Sequence, residues 1–233
     1  MTISTDDLLS SILASLERIE YVKLEDVPDI DLYMDQVTTF MDRKMKNSTR
    51  NPEEDKILTK TMINNYAKND LLPPPIRKKY SKEHVLVLIF IYYFKGILSI
   101  GDIQKLLSPL TDRYFGKKGA YDLQEIYEEV FGLEKEQVEN LKKDVEEKFR
   151  RAANTFPEAE GEEREFLKQF SFICLLSFDV YVKKLLIEKM IDEMASSLKK
   201  TETKKAEGKK PEPKKADVKK AEAKKPGKES PNK

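Results

Sequence analysis

The chain has 233 residues, 39% hydrophobic and 36% charged, with no Trp and 8 Gly; this suits helices better than sheets and leaves room for one good-sized core or two small ones. Its net charge of +1 hides an acidic body and a basic tail: residues 1–198 hold 29 basic and 36 acidic side chains, residues 199–233 hold 14 Lys and 6 acidic ones. A single cysteine, Cys174, excludes an intrachain disulfide, and the longest apolar runs, Val85–Phe94 and Phe170–Phe178, are about half a membrane span.

The start, MTISTDDLLSSILASLERIE, lacks the basic and apolar stretches of a signal peptide, so a cytoplasmic protein without a membrane segment is expected. Within it Leu8, Leu9, Ile12, Leu13, Leu16 and Ile19 share one helical face, which predicts a helix over 5–20. Asp29–Met45 repeats the pattern through Tyr33, Val37, Phe40 and Met41. After a loop, Pro52 and the acidic run 53–55 have the features of a helix start, and a helix over about 53–69 is predicted, with Leu58, Met62 and Tyr66 inward.

Pro73, Pro74 and Pro75 stop that helix and lead into a short extended piece at 75–80. Ser81 caps a helix whose residues 85–94 are apolar on every side, so it belongs at the centre of a core. Gly96 ends it. Ser99 opens a short helix closed by Pro109, and helices follow at about 122–131, 134–153 and 160–198. The 29–110 segment and the 111–198 helices form successive parts of the body, after an amphipathic helix in 1–28. The tail from 199 repeats a Lys pair every five residues with one branched apolar side chain, Val218, and is expected to be disordered.

Catalytic chemistry is not visible. The single histidine, His84, has no nucleophile or carboxylate marked out for it and reads as a partly buried or capping residue. Cys174 sits in an apolar run and reads as a buried thiol. No Cys/His set has metal spacing, and no glycine-rich phosphate loop is present. Neither enzyme activity nor a cofactor nor a metal is expected.

Charge is concentrated elsewhere. Between Met41 and His84 there are 11 Lys or Arg against 6 Asp or Glu, a local excess of five inside the acidic body. Lys56, Lys60, Asn64 and Lys68 are spaced by four, one stripe opposite the inner face of the 53–69 helix. Asn64 and Asn65 suit base edges, while the lysines and the run Arg77-Lys78-Lys79-Tyr80 suit phosphates.

The layout Asp70-Leu71-Leu72-Pro73-Pro74, then Arg77-Lys78-Lys79-Tyr80-Ser81, then Leu88 and Ile91, then Gly96–Ile103, resembles the DNA-binding domain of MerR regulators over about 57–107. That resemblance implies a winged helix-turn-helix with a recognition helix at about 53–69 and a short wing at 75–80. It also implies dimer formation through the helices after the wing, against which stands packing of that face within its own chain. Asn64 and Asn65 replace the Arg-Tyr of that family, and the wing is shorter. Through the stretches DIDLYMDQVTTFMDRKM, LTKTMINNYAKNDLLPPP and KKYSKEHVLVLIFIYYFKGILSIGDIQ the chain is also similar, over roughly 30–190, to a bacterial family known as a domain of unknown function, number eighteen-thirty-six, which carries no assigned activity. Two functions are open at this point. One is a DNA-binding transcriptional regulator whose tail adds sequence-independent affinity. The other is a non-enzymatic helical adaptor for proteins, with DNA binding lost.

Overall fold

The computed structural model describes residues 5–16 and 21–207. The chain divides into two units, Met1–Ala195 and Ser196–Lys233. All packing described below is internal to the first. In the second, the described residues 196–207 are helical.

The described chain is mostly α-helical, as its composition predicts. Helix α1 (Thr5–Leu16) is followed by a short strand β1 (Leu32–Tyr33), which leads directly into α2 (Met34–Met45). Then come α3 (Lys60–Lys68), strand β2 (Lys79–Tyr80), α4 (Lys82–Lys95) and α5 (Ile100–Tyr114). Helices α6 (Leu123–Gly132), α7 (Glu134–Ala153) and α8 (Gly161–Glu207) complete the order. The strands pair antiparallel, Leu32 opposite Tyr80 and Tyr33 opposite Lys79.

Helix α4 is the axis. Its residues His84–Ile91 are buried without interruption, because an all-apolar helix must be covered on every side. Val37, Met41, Ile63, Tyr66, Leu71, Leu72, Ile103, Leu107 and Tyr127 join it in one core. The Tyr127 hydroxyl donates to the Val22 carbonyl inside that core, which satisfies a polar group that would otherwise be costly to bury. A smaller core lies apart from it, where Val145, Phe149, Ala152 and Phe172 are covered by Leu9, Ile12, Leu13 and Leu16 of α1.

Several boundaries differ from the sequence-based expectation. Helix α2 begins at Met34, because residues 32–33 are used in the sheet. Helix α3 begins at Lys60 and not near 53. Pro52 and the acids instead make a turn, in which the Asp55 carboxylate accepts from the Asn51 N–H (3.0 Å) and the Asp55 N–H donates to the Asn51 carbonyl (2.8 Å). Ile57 cannot be helical, since its N–H donates to the Asp42 carboxylate (3.4 Å) and its carbonyl accepts from Lys95 Nζ (2.7 Å). Thr59 is the true cap, its hydroxyl accepting from the Met62 N–H at 3.2 Å.

Helix α5 runs through Pro109 to Tyr114 and does not close there. Proline removes one helical hydrogen bond, but Leu110, Tyr114 and Phe115 beyond it pack on the core and offset that loss. Helix α8 continues past 198, so the first Lys pairs of the tail, to residue 207, are helical. The expected disorder of the tail beyond 207 and the end of the first predicted helix, residues 17–20, lie outside the described residues. Cys174 is exposed, not buried.

At the end of α3, Asp70 takes a left-handed conformation (φ 54°), and the N–H groups of Leu71 and Leu72 donate to the Tyr66 carbonyl (2.9 and 3.3 Å). Glycine is favoured at such a helix exit. Asp70→Gly is therefore expected to raise stability by about 0.5–1 kcal/mol, read as an increase in the urea midpoint with an unchanged slope. A decrease would mean that the Asp70 side chain stabilises the exit.

Candidate nucleic-acid interface

The basic turn is a two-residue hairpin. The Ile76 N–H donates to the Lys79 carbonyl (3.1 Å) and the Lys79 N–H to the Ile76 carbonyl (3.0 Å). Arg77 (φ 51°) and Lys78 (φ 64°) occupy its two central positions, both left-handed. That backbone is the type I′ turn, whose twist matches the flanking strands and whose preferred residues are Asn and Gly. Two long cationic side chains there are strained. Ile76, Arg77 and Lys78 all project into solvent.

The hairpin is braced from beneath. His84, 1% exposed, lies under it. Its Nδ1 accepts from the Ser81 N–H (3.0 Å) and lies 2.8 Å from the Ser81 hydroxyl. Nε2, which must therefore carry the ring proton, donates to the Pro74 carbonyl at 3.3 Å. Tyr80 and Phe115 meet the imidazole edge-on, at 5.6 and 4.7 Å between ring centres. Burial lowers the His84 pKa; the Pro74 and Pro73 carbonyls and the nearby Asp31 carboxylate act in the opposite direction. The prolines, the hairpin and the first turn of α4 are thus tied together by one neutral imidazole.

The base of the hairpin meets the start of α2. Lys79 Nζ lies 5.2 Å from the centre of the exposed Tyr33 ring, a cation–π contact. Two residues on, Asp35 forms an ion pair with Lys60, the first residue of α3. The beginning of α2 therefore gathers Lys60 and Lys79 into one region. Lys60, Thr61, Asn64, Asn65 and Lys68 are exposed on α3. The end of α3 is held from α5, where Gln104 Nε2 donates to the Asn69 carbonyl at 3.0 Å.

Two of the expected residues stand apart. Lys56 precedes α3 and lines a cleft with Arg50, Tyr92 and Lys95, near the opposite end of α4 from His84. Eleven helical steps lead from His84 to Lys95, about 16 Å. Lys56 therefore does not extend the α3 stripe. Tyr80 is 3% exposed, so it supports the hairpin and does not face outward. Tyr33, expected on the apolar face of a helix, is instead an exposed strand residue, and Asp35 and Thr61 were not singled out in the sequence. Tyr33 and Asp35 become visible only through the strand pairing, which no local pattern announces. Among the described residues no group of His, Cys, Asp or Glu could hold a metal, and no helix is long and apolar enough to cross a membrane.

Residues 22–130 match the family described as Domain of unknown function (DUF1836). The matched region takes in the hairpin, the whole of α2 to α5 and most of α6. It therefore contains every residue of the candidate interface, while α7 and α8 lie beyond it. No curated protein matches the chain, and no solved structure does.

Proposed function

We propose that the DUF1836 region is a DNA-binding module of a transcriptional regulator, with α3 as the helix that reads bases and the 75–80 hairpin as a short wing. The observation that carries this reading is the turn itself. Arg77 and Lys78 are held in a conformation that glycine and asparagine would adopt at lower cost. Such strain persists where the side chains do something the turn alone does not need. Cations on a pre-ordered loop contact phosphates with little further loss of entropy. Asn64 and Asn65 have the amide groups that pair with adenine edges, and Lys60 and Lys68 flank them.

The test is selection of a binding sequence from random duplexes by the full chain and by residues 1–207, with affinity measured across salt. Both are expected to select the same sequence. The full chain should show the steeper salt dependence, because the Lys pairs beyond 207 release further counterions. Failure of both to select any sequence would sink the reading.

Within this reading, Asp35 holds Lys60 in an exposed ion pair and adds a negative charge at the interface. Asp35→Asn is expected to strengthen DNA binding several-fold at low salt, with the gain disappearing as salt screens it. Filter-binding titrations at two ionic strengths check this.

The second reading, an adaptor that binds proteins and not DNA, is favoured by one observation: the apolar side chains left in water along α8. A chain that selects no DNA yet is recovered with a protein through that helix would support it.

A further inference from the structure

Three cations line the cleft at the far end of α4 from His84: Arg50 and Lys56 from the segment between α2 and α3, and Lys95 from α4 itself. Among the described residues none of the three forms an ion pair, whereas Lys44 pairs with Asp26, Lys46 with Glu53 and Lys60 with Asp35. Acids outnumber bases in residues 1–198, so the cleft keeps its positive charge in a body rich in carboxylates.

Lys95 is the most confined of the three. It is half-buried, and its Nζ donates to the Ile57 carbonyl at 2.7 Å and lies 4.8 Å from the centre of the Tyr92 ring. An ammonium has three donors, and the carbonyl takes one. Burial lowers the Lys95 pKa, as befits a cation with no counter-charge at hand.

The remaining polar groups narrow what the cleft can hold. The Thr49 hydroxyl donates to the Lys46 carbonyl (2.9 Å) and the Ser48 hydroxyl to the Met45 carbonyl (2.6 Å). The Tyr92 hydroxyl, 2.6 Å from Ser48 Oγ, must then donate to it. These three hydroxyl protons are all used within the protein. Asp55 also lines the cleft, and its carboxylate accepts from the Asn51 N–H. Against that one negative charge the lining carries three positive ones, which hold the donors still to be satisfied.

We infer that this cleft is a binding site for a small phosphate monoester with a flat apolar part. A phosphate monoester carries nearly two negative charges at neutral pH and has three acceptor oxygens. The Arg50 fork can grip two of them, with Lys95 and Lys56 acting as point charges. The walls call for the flat part: the half-buried Tyr92 and Tyr93 rings meet at 75°, their centres 5.9 Å apart. The hollow measures about 450 Å³, within the range of small-molecule sites and far more than a bare phosphate fills. A duplex backbone is the poorer occupant, because its phosphates carry one charge each. The hairpin, moreover, lies at the other end of α4.

The probe is phenyl phosphate, a minimal compound with both parts. It is titrated into the full chain and read at the amide resonances of Thr49, Arg50 and Gly96, so that the Lys-rich tail does not enter the signal. Saturable shifts with a midpoint of about 1 mM or lower are expected; shifts that do not saturate, or none, overturn the inference. Inorganic phosphate, phenol and the diester methyl phenyl phosphate should each bind about tenfold more weakly or worse. Equal binding of inorganic phosphate would leave an adventitious ion only, equal binding of phenol would remove the role of charge, and equal binding of the diester would assign the cleft to a nucleic-acid backbone; each overturns it. Arg50→Gln alters an exposed side chain and is expected to weaken phenyl phosphate by about tenfold with an unchanged Tm of the free protein; unchanged affinity overturns the assignment. Lys95→Met should abolish the saturable shifts, and their persistence overturns it as well.

Discussion

Replacing Arg77 with Asn and Lys78 with Gly is expected to make the protein more stable and a poorer DNA binder at once. Both positions are left-handed at the tip of a type I′ turn, and Asn-Gly is the pair that fits it without strain. The expected gain is about 1 kcal/mol after the extra entropy of an unfolded glycine is set against the relief, or about 2–4 °C in Tm. Two phosphate contacts would be lost, so the slope of log affinity against log salt should flatten by about two units. Calorimetry and salt-dependent titration read the two effects separately. A stabilised variant that binds the selected sequence unchanged would remove the hairpin from the interface. A destabilised one would show that the cations hold the turn and do not strain it.

His84→Ala is expected to cost about 3 kcal/mol, from the cavity it leaves and from the unpaired Pro74 carbonyl and Ser81 N–H. The hairpin should loosen with it, so on the proposed function DNA affinity should fall although His84 lies beneath the surface. The same residue sets a pH dependence. Burial lowers its pKa in the folded protein, so the unfolded chain takes up the proton first as pH falls. Stability should therefore decline as pH drops below about 6.5 and level off once the folded-state pKa is passed. His84 is the only histidine in the sequence, which makes the assignment clean. Glu83, whose carboxyl is raised mainly by burial against the pull of the Gly116 N–H, acts with the opposite sign at lower pH. Urea midpoints between pH 5 and 8 test this. If His84→Ala keeps the decline between pH 7 and 6, the imidazole is not its source.

Where a single local signal dominates, the sequence was sufficient. Helix α4 is apolar all round with Ser81 ahead of it, α5 opens at Ser99, and α6 at the Asp122–Glu125 capping box, whose Asp122 carboxylate accepts from the Gln124 and Glu125 N–H groups at 2.9 Å. The start of α3 was obscured because the apolar order of Ile57, Leu58, Met62 and Tyr66 fits a helix as well as an extended entry. What decides between them is distant: Asp42 and Lys95 bind the backbone of Ile57. Pro109 reads as a stop, yet the residues beyond it have a core to pack on. For α8 the periodicity shows an apolar face and carries no information on what covers it, and so Cys174 was expected inside. At the candidate interface the basic tip was legible as charge. Its left-handed backbone, the burial of Tyr80 and the separation of Lys56 all follow from contacts between segments far apart in the sequence.

The two hydrophobic cores are unequal, and this bears on how the molecule opens. Among the described residues the smaller has four buried ones, supplied by α7 and α8 and covered by α1, while the larger surrounds α4. Local opening follows the weaker packing. Amide protons of α1 and α7 should therefore exchange with solvent well before those of α4, which exchange only when the whole core comes apart. A protease given brief access would cut first near Asn154–Glu160, between α7 and α8, and leave the hairpin and its supporting helices intact.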